Sequence, residues 1–554
     1  MHRFKIPFYA LLIITGFYAL YFAGLGANPL LDPDEPIYGQ FVKEMVRGGD
    51  WLTPHYAGKL WFDKPPMYYW LASAAVKTFG LSEFALRLPS ALCAVGIVLM
   101  VFALASYDFG KRAGIFASLV MATSLMQIIM SHAAATDAIM VFFLVAALYA
   151  YRRWLDATGR ARLMWIAICG GATGFGMLTK GPVVPLLLTA TFIVHLWWTG
   201  SLKKLRAADA ALGIMTALVI GLPWYIAMYA MHGRAFVDGF IITNNLARFA
   251  KPLHKSQTGQ WYSYLRNVPI MLAFFLPWSV FLPQAIAGSW RANNGAKLLI
   301  TWFAVVMVFF SISKTQNFTY TYPVFPAAAI LVGVIFAKAT KGEQKSARSI
   351  SIGIWAGLAI SLLLMAALVV FAVMRFPAVI LSASIMGISL VGAFVISLIG
   401  AKTRRLKVTD AAWITTVGML VFTLVLVCCA MPIVSRQKST RLIAERIADL
   451  NGVKVVAFNL WKPGLFYYLD KKPIDIKNQT QVRSFMSESS PIVIICKEDD
   501  EECIEREGSI ELFGLGDLDV YPNHEYMRQC KRPIAKQVAH NSFACDLSNV
   551  RPKL

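Results

Sequence analysis

Apolar runs of about twenty residues recur from the N-terminus to about residue 433, each long enough to cross roughly 30 Å of hydrocarbon as a helix. No other feature narrows the possible folds so far. In hydrocarbon each backbone N–H and C=O must find its partner within the protein, which leaves helices and closed barrels as spanning structures. Barrel strands are short and alternate in polarity, whereas these runs are long and apolar all round. They fall at about 6–24, 84–106, 112–130, 134–150, 162–178, 182–198, 208–230, 266–288, 296–312, 318–337, 349–373, 377–400 and 411–433. The overall balance of 57% hydrophobic and 15% charged side chains sits well outside the soluble norm of about 45–50% and about 25%, and it excludes a disordered chain. The expectation is an α-helical polytopic membrane protein of about thirteen transmembrane helices, spanning residues 1–433.

The last 120 residues differ, with 18 Lys/Arg and 17 Asp/Glu around short apolar segments. Runs such as VKVVAFNL, GLFYYL and PIVIIC, separated by polar turns, predict a small soluble α/β domain over 434–554. The formal charge of +22 is a topology signal and does not imply nucleic acid. On one side of the spans 21 Lys/Arg fall in the N-terminus and short loops, against three in the four short loops opposite. The positive-inside rule makes the first side cytoplasmic. The N-terminus is then cytoplasmic, and loops 25–82 and 231–265 and the C-terminal domain face outward, into the periplasm if the membrane is a bacterial inner membrane. The first apolar run is too long for a cleaved signal peptide. Cys93, Cys169, Cys428 and Cys429 read as packing residues within spans. Cys496, Cys503, Cys530 and Cys545 lie in the outward domain, where one or two disulfides are expected.

Loop 25–82 holds six of the fourteen acidic residues of the membrane part. Asp32-Pro33-Asp34-Glu35-Pro36 leads into Ile37, Phe41, Val42 and Met45, spaced for one face of a helix that stops at Gly48-Gly49, which predicts an amphipathic helix at the outer surface. Lys64-Pro65-Pro66 opens a second segment to Gly80, too short to span. One short acceptor suffices to cap a helix, so three carboxylates in four positions at a membrane interface favour function. Loop 231–265 supplies Arg248, Lys251, His254 and Lys255 among aromatic residues, a mixture suited to an anionic headgroup such as a lipid phosphate. Two further outer patches are His132 with Asp137, and Ser313 to Asn317 leading to Tyr320 and Tyr322.

Asp34-Glu35, then GDWLTPHYAGKLWFDKPPMYYW, SHAAATDAIMVFF, GFGMLTKGP, NNLARF and SKTQNFTYTYPVFP resemble the C-type (GT-C) membrane glycosyltransferases related to protein mannosyltransferases, and the bacterial lipid A aminoarabinose transferases in particular. The resemblance runs in order through most of residues 1–330. It implies an inverting enzyme that moves a sugar, such as 4-amino-4-deoxy-L-arabinose, from undecaprenyl phosphate to lipid A or another acceptor, the modification tied to polymyxin resistance. It makes Asp34 the catalytic carboxylate and Lys64 a ligand of the donor phosphate. Glu35, Arg248, Lys251, Lys255, Tyr320 and Tyr322 are the further substrate-binding candidates. Asp63, His254 and His132 are candidates for a divalent metal, zinc or magnesium.

The chain departs from the aminoarabinose transferases at Pro36-Ile37, where they carry an Arg, at Asp63, where they carry Glu, and at Asn244-Asn245, where they carry Glu-His. The expected partners are membrane lipids, a polyprenyl-phosphate donor and a glycan or protein acceptor, with a monomeric protein and no nucleic acid. Two other readings are a protein or glycan O-glycosyltransferase of the same fold and a lipid-linked substrate flippase. No internal repeat of the kind transporters show is present.

Overall fold

The computed structural model describes residues 15–250, 264–290, 293–437 and most of 440–529. It divides into two compact units, 1–27 with 41–430, and 28–40 with 431–554.

In the first unit the described residues hold nine helices long and apolar enough to cross a membrane, or eleven if each of two bent pairs is one span. The bent pairs are Lys111–Ala122 with Leu125–Ser131, turned by 63°, and Asn267–Phe274 with Trp278–Ser289, turned by 112°. Val183–Trp198 is a shorter apolar helix, and the first part of the first expected run, 6–14, lies outside the described residues. Each of the other expected runs has a helical counterpart. Local signals set the ends. Ser82 begins the helix Glu83–Phe109, its side chain accepting the Ala85 N–H at 3.3 Å, and Gly110 (φ 91°) stops it. The helix Phe325–Thr340 is buried at every position from Phe325 to Ala337, as expected of a helix apolar all round at the centre of a bundle.

Two sequence expectations are revised. The apolar face of Asp34–Gly48 meets protein instead of lipid: Phe41, Val42 and Met45 are buried, and the Phe41 ring lies 4.9 Å from that of Tyr69 and 5.9 Å from that of Tyr56. The segment expected as loop 231–265 is helical through Ala250. After a break at Gly233 (φ 51°) the chain forms a π-helix, Val237–Ala247, and then Arg248–Ala250. The wide turn is supported by side chains that reach carbonyls five residues back: Thr243 to Asp238, Asn244 to Gly239 and Asn245 to Phe240, at 2.7 to 2.9 Å.

The second unit contains a five-stranded sheet. Numbered with the hairpin β1 (His55–Tyr56) and β2 (Lys59–Leu60) of the first unit, its strands are β3 (Lys454–Phe458), β4 (Ile474–Ile476), β5 (Ile492–Lys497), β6 (Phe513–Leu515) and β7 (Leu518–Pro522), in the order β4-β3-β5-β7-β6. β3 is parallel to β4 and β5, while β7 is antiparallel to β5 and β6. Helices Pro463–Leu469 and Gln479–Met486 provide the crossovers. Side chains alternate between two cores: Ala457, Val493, Ile495 and Val520 on one face, Val456, Phe458, Ile492, Ile494 and Cys496 on the other. This is the expected α/β module. Of the four cysteines considered for disulfides, Cys496 is buried in β5, and Cys530, Cys545 and the Cys503 side chain lie outside what is described.

Close helix packing in the membrane unit rests on small residues. A Cβ at Gly170 would lie 2.2 Å from the Gly213 carbonyl oxygen, and one at Gly174 would lie 2.7 Å from that of Ala217, so helices Gly159–Lys180 and Ala207–Phe236 approach along a small-xxx-small face. Gly170→Ala should therefore destabilise the protein by about 1–3 kcal/mol through overpacking, read as a fall in the melting temperature in detergent. Gly171→Ala, facing only the tip of Ile220, should change it far less, and equal melting temperatures would refute the close approach.

Candidate functional site

Residues 49–66 link the two short helices Asp34–Gly48 and Met67–Phe79, and a series of polar contacts fixes their course. Asp50 Oδ1 accepts the N–H groups of Leu52 and Thr53 at 2.9 and 3.0 Å. Glu44 accepts those of Ala57 and Gly58 at the β1–β2 turn, where both residues have positive φ. The indoles of Trp70 and Trp224 donate to the carbonyls of Trp51 and Leu52. Asn244, on the π-helix, donates to the Phe62 carbonyl at 2.9 Å. Through that bond the segment carrying Arg248 is tied to the residues just before Asp63 and Lys64.

At the end of this path two cations share one carboxylate oxygen. Lys64 Nζ lies 3.0 Å and an Arg248 guanidinium nitrogen 3.1 Å from Asp63 Oδ1. Asp63 and Lys64 are largely buried, while Arg248 is more open, at 29% side-chain exposure. A second pair stands nearby. Helices Asp137–Asp156 and Gly159–Lys180 are joined by only two residues, so the start of the first meets the end of the second, and Lys180 Nζ lies 2.6 Å from Asp137 Oδ1. The ammonium also sits 5.4 Å from the centre of the Tyr320 ring. Each charge is at the helix end where the macrodipole favours it.

The electrostatics join the two pairs. Burial works to raise the Asp63 pKa, but Lys64, Arg248 and Lys180 outweigh it and hold the carboxyl below the usual range. For Lys64 burial lowers the pKa, and Arg248 and Lys180 add to that against the pull of Asp63. Three cations thus face two carboxylates in a half-enclosed place, leaving one positive charge in excess. Such a cluster suits an anion with several acceptor oxygens.

The remaining candidates divide. Asp34 is exposed at the first residue of its helix. Glu35 is buried and accepts the Leu31 N–H at 2.8 Å. Tyr320 stands at Lys180, whereas Tyr322 is buried and its hydroxyl donates to Gln127 Oε1. Lys251, His254 and Lys255 lie outside the described residues. The structure gives two of the proposed metal ligands other partners: Asp63 has its two cations, and the His132 ring nitrogens lie 3.0 Å from the Ile128 carbonyl and 3.2 Å from that of Ala23. Among the described residues no three His, Cys, Asp or Glu side chains are grouped to hold a metal ion, and the cations around Asp63 oppose a divalent one. Asp63 and His132 are thus engaged elsewhere, and the third candidate ligand, His254, lies outside the described residues. Asp137 and Lys180 were not singled out together as site residues, although both stand in the motifs SHAAATDAIM and GFGMLTKGP.

Comparison with known proteins places this fold. Residues 63–226 match the family model described as dolichyl-phosphate-mannose-protein mannosyltransferase. The undecaprenyl phosphate-α-4-amino-4-deoxy-L-arabinose arabinosyl transferase of Erwinia tasmaniensis is 30% identical over 373 residues, 65% of this chain and 66% of the relative. The enzyme of the same name from Pseudomonas aeruginosa strain LESB58 is 30% identical over 326 residues, 58% of each chain. The matched region thus spans less than two thirds of these relatives' length. Crystal structures of ArnT from Cupriavidus metallidurans superpose with a TM-score of 0.78, both bound to undecaprenyl phosphate, at 24% identity over 93% of this chain and 98% of that one, and in the apo state, at 22% identity over 94% and 99%. The protein is a multi-pass membrane protein with the fold of those ArnT structures. In sequence the chain is similar to the aminoarabinose transferases.

Asp63→Asn should leave Lys64 and Arg248 facing each other without a counter-ion, at a cost of roughly 3–5 kcal/mol if the pair behaves as a buried one. A thermal-shift assay in detergent should show the loss at pH 7. Because the folded pKa of Asp63 is lowered, its stabilising contribution is complete above the unfolded value of about 3.9 and disappears as pH falls through the folded value. The difference between wild type and variant should therefore persist to about pH 4 and close only below it.

Proposed function

We propose that the chain is an inverting glycosyltransferase that moves 4-amino-4-deoxy-L-arabinose from undecaprenyl phosphate to lipid A. The observation that carries this reading is the grouping of Lys64, Arg248 and Lys180 around largely buried Asp63. The leaving group of the reaction is already an anionic phosphate, so departure requires positive charge in place before bond cleavage more than it requires an acid. Lys64 and Arg248 receive the phosphate oxygens. Asp63 holds the two cations apart from solvent and in register, and Lys180, kept in place by Asp137, adds positive potential. Tyr320 closes the Lys180 side.

The transfer itself is a single displacement. An acceptor oxygen approaches the anomeric carbon from the face opposite the phosphate, the new C–O bond forms as the bond to the phosphate breaks, and the electron pair leaves with the phosphate. Asp34 is the catalytic carboxylate. For a hydroxyl acceptor it takes the proton; for a lipid A phosphate, already ionised, it orients the substrates, including the cationic amino group of the sugar. The N-terminus is cytoplasmic, and loop 25–82 and the α/β domain face the periplasm, as the 21 to 3 division of basic residues supports.

Asp34→Asn at equal membrane abundance should lower transfer by about 10² to 10⁴ if the carboxylate is a general base, while a residue that only capped its helix would tolerate Asn. Wild-type transfer would reject the assignment. Lys64 gives a separate test on binding. Its lowered pKa means that the ammonium is lost at a lower pH than the free value of about 10.4. Undecaprenyl phosphate affinity should then weaken on the alkaline side in wild type and stay level in Lys64→Arg, whose charge persists. For the orientation, a cysteine placed at 152–162 should resist a membrane-impermeant thiol reagent in spheroplasts, and one at 50–60 should react.

A further inference from the structure

Three residues upstream of Asp34 bind side chains or backbone more than 400 positions away. The Ser435 hydroxyl donates to Asn28 Oδ1 at 3.2 Å. The Leu30 N–H donates to the Tyr468 hydroxyl at 2.7 Å. Asp32 uses both oxygens: Oδ1 accepts the Gly464 N–H at 2.7 Å and Oδ2 accepts the Thr440 hydroxyl at 3.3 Å. Gly464 is the second residue of helix Pro463–Leu469, so Asp32 satisfies an N–H at a helix start that has no partner within the helix. Space there is closed, because a Cβ at Gly464 would lie 2.1 Å from Thr440 Oγ1 and 2.9 Å from Asp32 Oδ2. Anchors at alternate residues 28, 30 and 32, and the Leu31 N–H on Glu35, restrain the chain on both sides of Asp34. In agreement, residues 28–40 cluster with 431–554 as one compact unit.

We propose that the C-terminal domain positions the catalytic carboxylate, with Asp32, Tyr468 and Gly464 as positioning residues that set where Asp34 stands. This rests on the reading of Asp34 as the catalytic group. The domain is then part of the catalytic apparatus. Misplacing a reacting group by about 1 Å can cost about 10²-fold in rate, whereas Lys64 and Arg248, which the proposed function gives to the donor phosphate, take no part in these anchoring contacts. Loss of the anchors should therefore act on turnover and spare donor binding.

The test uses the full-length protein in membranes, with undecaprenyl phosphate-4-amino-4-deoxy-L-arabinose as donor and lipid A as acceptor, and measures kcat, donor KM and affinity for undecaprenyl phosphate at equal abundance. Asp32→Ala should lower kcat about 10- to 100-fold with donor KM and undecaprenyl phosphate affinity within about twofold of wild type. Asp32→Asn, which keeps an acceptor for the Gly464 N–H, should restore most of kcat. Tyr468→Phe removes one hydroxyl only, so it leaves folding intact and should lower kcat in the same direction, as should Gly464→Ala. Wild-type kcat in the Asp32→Ala/Tyr468→Phe double variant, with Asp34→Asn inactive, would overturn this proposal and leave the catalytic assignment standing. Equal losses of kcat and undecaprenyl phosphate affinity would also overturn it, as a general structural effect. Wild-type transfer by Asp34→Asn would instead remove the assignment on which the proposal rests.

Discussion

One carboxylate oxygen, Asp63 Oδ1, holds Lys64 and Arg248 within about 3 Å of each other's partner, and much of the membrane unit is arranged so that this can happen. Two like charges brought together out of water repel strongly unless an opposite charge stands between them. The carboxylate supplies that charge, and the surrounding polypeptide supplies the geometry. Lys64 is placed by the hairpin, the Asp50 turn and the prolines that follow it, and Arg248 by the π-helix whose Asn244 grips the Phe62 carbonyl. The residual positive potential has no structural use that these contacts explain. It is the part of the arrangement that suits an incoming anion.

Hydrocarbon explains why such irregular backbone is gathered where it is. Spanning segments satisfy their N–H and C=O groups internally, and here several of their polar side chains bond within the bundle as well: Trp278 donates to Thr123, Gln127 to the Ala94 carbonyl, and Tyr21 to the Ala122 carbonyl. Arg152 likewise pairs with Asp108 and Asp156, and Arg162 with Asp209. Turns, a hairpin and a π-helix position Lys64 and Arg248. π-Helices are rare and occur frequently at functional positions, and here one leads directly into Arg248.

The spans and the α/β module were legible because hydropathy and period are local properties of sequence. Phe41, Val42 and Met45 were legible as a buried face for the same reason, but not what covers them, since Tyr56 and Tyr69 arrive from other elements. Tyr320 and Tyr322 look alike in FTYTYP. On the short 3-10 helix Phe318–Val324 their side chains point in different directions, and only Tyr320 reaches Lys180. The Asp137–Lys180 pair spans 43 positions and depends on two helices lying antiparallel. Both residues stood in recognisable motifs, and sequence alone had no means to join them.

Asp32, Asp34 and Glu35 show most clearly how the number of charges can mislead about their roles. Three carboxylates in four positions exceed what one helix start needs, and from sequence the surplus reads as chemistry. The structure assigns two of them to the backbone: Asp32 to the N–H of Gly464 and Glu35 to that of Leu31. Each is a buried or half-buried acceptor doing what a carboxylate does well for an N–H that lacks a partner. Asp34, between them, stays exposed. Asp32 and Glu35, anchored in this way, fix the chain on either side of Asp34.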